Sequence, residues 1–301
     1  MAVPVNDSRR WLAAGLTVFA LLAAGCSSSD DSSPAGETDT AAADVPQAIV
    51  SLSPTSTEML YAIGAGDQVV AVDDRSDYPT DAPVTDLSGY TPNVEAILGY
   101  EPDLVVANAD TGDLVAGLEQ AGVETLILPA AQTLDDTYTQ LEQLGAATGH
   151  VGEAAELVAQ MQADIDEILA GLPERETPLT YYQELDNTFY SVTDDTYIGE
   201  IHSMLGLTSI ATGSNGYPQL SAEYVLEQNP DVIFLADGQC CGVTPEVVAQ
   251  RAGWEELTAV REGRVYVLDE DIASRWGPRV VDLMREVAGI VGGIPVTAPT
   301  P

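Results

Sequence analysis

The sequence predicts an α/β protein of two similar lobes, each built on a parallel sheet, joined by one long rigid α-helix. Three observations carry this prediction. Strand and helix patterns alternate along the chain, one amphipathic segment divides that alternation in two, and a motif of the first half returns in the second at an offset of 128 residues. Strands that alternate with helices form a parallel sheet covered on both faces.

The dividing segment runs from His150 to Leu172. Its apolar residues, Val151, Ala154, Val158, Met161, Ile165, Ile168 and Leu172, fall at alternating steps of three and four, which is one stripe along an α-helix. No Pro interrupts it, and at ~1.5 Å per residue it would reach roughly 35 Å. The expected boundaries follow from it: a first lobe over 48–149, the linking helix over 150–172, and a second lobe over 173–294.

In the first lobe, Ala48-Ile-Val-Ser-Leu-Ser reads as a short buried strand. Thr55-Ser-Thr-Glu58 then reads as a capping box opening a helix that ends near Ile63. Strands follow at Gln68–Val72, Leu104–Ala107 and Thr125–Leu128. Helices are expected at Asn93–Tyr100, Asp113–Ala121 and, behind a Thr133 cap, Leu134–Ala147. In the second lobe the strands are Leu179–Tyr182, Val232–Ala236 and Val265–Leu268, and the helices Ile198–Leu205, one ending at Val225–Gln228, Val247–Arg251 and Val280–Val291.

The internal repeat sets Asn93-Val-Glu-Ala-Ile-Leu against Ser221-Ala-Glu-Tyr-Val-Leu without a gap. Glu95 pairs with Glu223, Leu98 with Leu226, Pro102 with Pro230 and Asp103 with Asp231, each followed by an apolar strand. Ungapped register over a helix, a turn and a strand points to duplication.

The front of the chain is targeting sequence. Arg9 and Arg10 precede an apolar run from Trp11 to Ala24, too short to span a bilayer and suited to a signal peptide over residues 1–25. The run closes on Leu-Leu-Ala-Ala-Gly-Cys26, so Cys26 reads as a lipidated cysteine, although Ala23 stands where a larger aliphatic residue is usual. Residues 26–47 are Ser, Asp, Thr, Ala and Pro, a flexible tether. Both features place the protein outside the cytoplasm, held to the membrane only through a lipid on Cys26.

Charge narrows the partners. Ten basic residues, every one Arg, stand against 48 acidic ones, a net charge of −38. Such a surface excludes nucleic acid and direct binding to anionic headgroups. The absence of Lys removes Walker A and Schiff-base chemistry, and no GxSxG or HExxH occurs, so no catalytic residue is assigned and the chain is not read as an enzyme. The two histidines, His150 and His202, are too few and too far apart for a metal site, and His202 among Ile201, Met204 and Leu205 reads as a core residue.

Seven segments, taken in order, resemble the substrate-binding lipoproteins of ABC importers for ferric siderophores, haem and cobalamin. They are IVSLSPTSTEMLYAIGAGDQVVAV, RSDYP at 75–79, PNVEAILGYEPDLVVA, the central helix, IGEIHSMLGLTSIA, SAEYVLEQNPDVIFLA and SRWGPRVVDLM. The resemblance covers about Ala48 to Val291. It implies a monomer that captures a metal chelate between its lobes and delivers it to a permease dimer driven by separate ATPase subunits. Among ligands the expectation leans to a ferric siderophore, with cobalamin close behind and haem third. A surface sensing or adhesion module on the same fold stays open as an alternative.

Candidate residues follow. Glu95 and Glu223 lie in first helical turns, where an acid complements the helix dipole; the resemblance assigns them to contacts with permease arginines. Ligand contacts are expected from loops at the carboxyl ends of the strands: Ser53 and Thr55 after the first strand, Arg75 and Tyr78 after the second, Tyr90 before the Glu95 helix, and Tyr190 beside Phe189 in the second lobe. Arg275 and Trp276 precede the last helix, where a guanidinium can hold oxygens and an indole can stack on a flat chelate; Arg279 fits a salt bridge equally well. Cys240 and Cys241 are adjacent and outside the membrane, so they form a vicinal disulfide, stay reduced, or crosslink two molecules.

Overall fold

The computed structural model describes residues 45–296, so the expected signal peptide, Cys26 and most of the expected tether lie outside the described residues. The first lobe contains β1 (Ile49–Ser51), α1 (Pro54–Ala62), β2 (Val69–Asp73), β3 (Val84–Leu87), α2 (Val94–Leu98), β4 (Leu104–Ala107), α3 (Leu114–Gln120), β5 (Glu124–Ile127) and α4 (Leu134–Thr148). The linking helix is α5 (Val151–Ala170). The second lobe contains β6 (Leu179–Glu184), α6 (Tyr197–Met204), β7 (Leu207–Ser209), α7 (Ala222–Gln228), β8 (Val232–Leu235), α8 (Gly238–Cys241), α9 (Pro245–Ala249), α10 (Thr258–Arg261), β9 (Val265–Val267), α11 (Glu270–Ser274) and α12 (Val280–Gly293).

Both sheets are parallel throughout, ordered β3-β2-β1-β4-β5 and β7-β6-β8-β9. The second repeats the first without its β3 edge: β6 takes the place of β1, β7 of β2, β8 of β4 and β9 of β5. The repeated Pro-Asp has the same task in each lobe. Asp103 Oδ2 accepts the amides of Gln47 and Ala48 at 2.8 and 3.1 Å, tying the entry of β1 to that of β4. Asp231 Oδ2 accepts the amide and hydroxyl of Thr180, both at 2.9 Å, and ties β6 to β8.

The helix α5 buries Ala154, Val158, Met161 and Ile165, the middle of the expected stripe. It lies against α4 of the first lobe and α12 of the second. One continuous apolar core therefore runs from Ile49 and Leu104 through α4, α5 and α12 to Val232 and Phe234. Each lobe adds a second core on its outer face, around Val105, Leu114 and Leu118 in the first and around Tyr182, Trp254 and Leu257 in the second. The rod thus packs one stripe against both lobes and leaves its other face to solvent, and is not a bare strut.

Two further points differ from the sequence reading. The helix α1 is capped by Ser53, whose Oγ accepts the Ser56 amide, with Pro54 in the first turn; Thr55 lies inside the helix and no box with Glu58 forms. The strands β3 and β7 were not expected. The first has an exposed–intermediate–exposed start and the second is three residues long, so neither presents a clear apolar run.

His202 is fully buried. Its Nε2 meets Gln183 Oε1 at 2.6 Å, and its ring stacks on Phe234 with centroids 5.1 Å apart. Burial pushes its pKa down to about 3, so the folded state holds the ring neutral. The unfolded chain binds a proton there near pH 6.5 and the folded chain does not, so stability is lost as pH falls below 6.5. Between pH 7 and pH 5 this one ring removes about 2 kcal/mol. Urea unfolding at the two pH values is expected to show a loss smaller by that amount in His202→Gln; equal losses in both proteins would reject the assignment.

Candidate functional site

The loops leaving the carboxyl ends of the strands in one lobe meet those of the other, and a charged clasp joins them. Glu58, in α1, is buried, and its carboxylate receives the guanidinium groups of both Arg275 and Arg279 from the opposite lobe. The contact from Arg275 Nη1 is 2.8 Å and that from Arg279 Nε is 2.8 Å. Arg275 also pairs with Asp77 at 3.0 Å, with Asp271 at 2.6 Å, and donates to the carbonyl of Arg75. Arg279 lies 4.1 Å above the Tyr78 ring. Beside the clasp, Trp276 donates its Nε1 proton to Gln140 of α4 at 3.0 Å, and its carbonyl accepts from the Thr137 hydroxyl at 3.0 Å. Glu200 of α6 accepts the Leu134 amide at 2.9 Å.

These contacts involve several of the residues expected at the ligand. Arg275 already satisfies three carboxylates, and Trp276 is half-buried with its indole proton committed across the lobe junction. Ser53 and Thr55 are buried, Ser53 as the α1 cap and Thr55 opposite Gly277 of the second lobe. Ser53, Arg275 and the Trp276 indole proton thus have partners within the protein, while the Trp276 ring remains partly exposed. Their sequence signal, an aromatic and arginines beside a helix start, is shared by ligand contacts and by an interlobe junction.

Other expected residues stand open. Arg75 is exposed and, among the described residues, makes no ion pair. Tyr78 is 45% exposed, Tyr90 79% and Tyr190 40%. Tyr90 is held out by the tight turn at Gly89, where a Cβ would strike the Leu52 carbonyl and crowd Asp73. Asp73 is buried and accepts from Ser76 Oγ at 2.6 Å; burial nevertheless raises its pKa.

Sequence reading missed Tyr217, which is 50% exposed. Residues 189–193 and 216–220 run antiparallel, with bonds from Ser191 to the Pro218 carbonyl at 2.9 Å, from Leu220 to Phe189 at 2.9 Å and from Thr193 to Gly216 at 3.0 Å. Tyr190 sits opposite Gln219, so Tyr190 and Tyr217 share one side of this ribbon, while Phe189 turns inward to Trp254 with centroids 5.9 Å apart. The cue was available, since Gly216-Tyr-Pro lies in a Gly-rich loop before the second copy of the repeat.

A separate cavity of about 490 Å³ spans the junction beside the clasp, lined by Tyr61, Tyr78, Asp81, Pro278, Arg279 and Asp282. Glu58 of the clasp also lines it, and neither Tyr90 nor Tyr190 does.

Glu95 and Glu223 occupy equivalent places. Each is the second residue of its helix, α2 capped by Asn93 and α7 by Ser221, and each is exposed. The sulfurs of Cys240 and Cys241 are bonded to each other on the exposed surface of α8. Among the described residues no helix is long and apolar enough to cross a membrane.

Two like parallel sheets, joined through the charged clasp and backed by one shared helix, have the build of a solute-binding receptor. The chain belongs to the periplasmic binding protein family, whose sequence profile matches residues 49–272. It is 32% identical over 252 residues to an uncharacterised ABC transporter substrate-binding lipoprotein of Bacillus subtilis, covering 81% of this chain and 79% of the relative. A cobalamin-binding protein of Halobacterium salinarum is 30% identical over 255 residues, covering 81% and 69%. The crystal structure of the periplasmic vitamin B12-binding protein of Vibrio cholerae superposes with a TM-score of 0.65 at 29% identity, covering 82% of this chain and 96% of that one. As a substrate-binding protein of an ABC transporter, the chain hands its solute to a permease energised by separate ATPase subunits and is not an enzyme.

Proposed function

We propose that this protein is the extracytoplasmic receptor of an ABC importer for a corrinoid, anchored by a lipid on Cys26 and docking through Glu95 and Glu223. The observation that carries the ligand class is the state of the arginines. Arg279 and Arg275 share Glu58, Arg275 also pairs with Asp77 and Asp271, and Arg251 pairs with Glu184. Arg75 is left as the single unpaired guanidinium among the described strand-end loops, against a net charge of −38. A trianionic catecholate complex or the propionates of haem would meet a repulsive field with one cation to offset it. A corrinoid presents neutral amides and a broad macrocycle, and the exposed rings of Tyr90, Tyr190 and Tyr217 suit such a face. The names of the Halobacterium and Vibrio relatives support the same reading. It departs from the expectation of a ferric siderophore, which rested on the resemblance alone and not on any residue of the cleft.

Titration calorimetry with cyanocobalamin, haemin, a ferric hydroxamate and a ferric catecholate tests it. Cyanocobalamin is expected to bind with a dissociation constant of about 1 μM or tighter. Tyr217→Ala and Tyr90→Ala are each expected to weaken it ~10-fold, about 1.4 kcal/mol per ring. Tighter binding of haemin or of either siderophore would replace the corrinoid in this assignment.

A further inference from the structure

Under α8, which carries the Cys240–Cys241 pair, lies a charge cluster that the ligand site does not use. Glu184 ends β6 without exposed surface, and its carboxylate receives Arg251 through two contacts at 2.6 and 2.5 Å. The Arg251 guanidinium lies 4.6 Å from the Trp254 ring and 5.2 Å from the Phe189 ring. Tyr182 donates its hydroxyl proton to Glu184 at 3.2 Å. Asp237, between β8 and α8, also has no exposed surface, and neither of its carboxylate oxygens has a hydrogen-bond partner. From α11, Glu270 accepts the amides of Gln239 and Cys240.

Glu184 and Asp237 thus share the field of one cation, Arg251, with Glu270 adding negative charge beside Asp237 and Tyr182 the remaining titratable group that faces them. Glu184 uses Arg251 in full, and Glu270 is satisfied by backbone amides. Asp237 has no hydrogen-bond donor and feels Arg251 only at a distance, and a buried carboxylate in that position is strongly disfavoured. The α8 segment above it is closely seated: the Cys241 amide bonds the Asp237 carbonyl at 3.1 Å, and a Cβ on Gly238 would meet Val267 at 2.8 Å.

We propose that Asp237 is a protonation switch beneath α8: while it holds a proton the segment stays seated, and losing that proton places a second buried charge beside Glu184 and loosens α8 together with its vicinal disulfide. Burial first, and then the charge of Glu184, raise Asp237 to about pH 7, against the pull of Arg251. The unfolded chain releases this proton near 3.8, so the stabilisation is complete below that pH, declines as pH rises towards 7, and is level above it. Any effect on cargo rests on the receptor reading above, because α8 follows a strand end that faces the opposite lobe. The test reads α8 itself, so the switch and the ligand assignment fail separately.

The measurement is the rate at which a phosphine reductant opens the Cys240–Cys241 bond in the full chain from pH 5.5 to 8.5, normalised to an unstructured peptide carrying the same Gln-Cys-Cys-Gly disulfide. The normalised wild-type rate is expected to rise ~10-fold with a midpoint near 7, and Asp237→Asn, which keeps the shape and cannot ionise, is expected to stay at the low rate throughout. A flat wild-type profile overturns the proposal, and so does a wild-type rise preserved in Asp237→Asn. If the Asn variant does not fold, Asp237→Ser is read by the same criterion.

Discussion

Replacing Glu58 with Ala is expected to lower the midpoint of thermal unfolding by roughly 6–12 °C, more than any other single change at the lobe junction. The physical reason is the asymmetry between making a buried ion pair and breaking one. Glu58 is 3% exposed and is the meeting point of Arg275 and Arg279, whose side chains are 10% and 17% exposed. Removing the carboxylate leaves Arg279 as an uncompensated, largely buried cation, a loss of about 3 kcal/mol. For a body of this size that converts to the stated shift at about 2–4 °C per kcal/mol. Arg275 is cushioned because it keeps Asp77 and Asp271. The ranking among variants is therefore as informative as the magnitude: Arg279→Met should cost less than Glu58→Ala, since Glu58 would retain Arg275 and the methionine keeps most of the packing on Tyr78. Calorimetric unfolding of both variants checks this. A Glu58→Ala midpoint within about 2 °C of the wild type would mean that the shared core around α5, and not the clasp, sets the lobes against each other.

What could be read from the sequence follows from how far each signal reaches along the chain. The central helix was legible because seven apolar residues obey one period over 22 positions. The doubling was legible because Pro102-Asp103 and Pro230-Asp231 each mark the same local device, an aspartate stapling the entry of one strand to that of its neighbour. The clasp was not. Glu58 and Arg279 are separated by 221 positions, and a glutamate on a helix looks the same in sequence whether it faces water or a buried arginine. For the same reason the sequence could not show that Arg275 and Trp276 also reach α1 and α4 across the junction: the residue types suit a ligand contact and a junction alike. Tyr217 was overlooked for a related reason, because its alignment with Tyr190 arises from pairing between two loops that carry no strand pattern.

Removing both Glu95 and Glu223 by substitution with Ala is expected to abolish uptake of the cargo by cells while leaving the dissociation constant of the isolated receptor unchanged. Each carboxylate stands on the second residue of a short capped helix, exposed, at a position related by the internal repeat. As isolated helix-end charges they are worth about 0.3–1 kcal/mol apiece, so the double variant should stay folded with a small drop in midpoint. As partners of two cations on a two-fold permease they are worth far more, because losing one member of a desolvated interfacial pair costs about 2–5 kcal/mol. One substitution is then expected to slow uptake ~30-fold or more, and two to bring it to background. The pairing of readouts separates the alternatives. Uptake that survives the double change, with binding intact, would reduce both residues to ordinary helix-end acids. Lost uptake together with weakened binding would place them at the ligand instead. Uptake lost with binding and fold preserved is the result that only a docking role produces, and it tests the duplication as well, since two equivalent carboxylates are useful to a partner only if the two lobes present them as a matched pair.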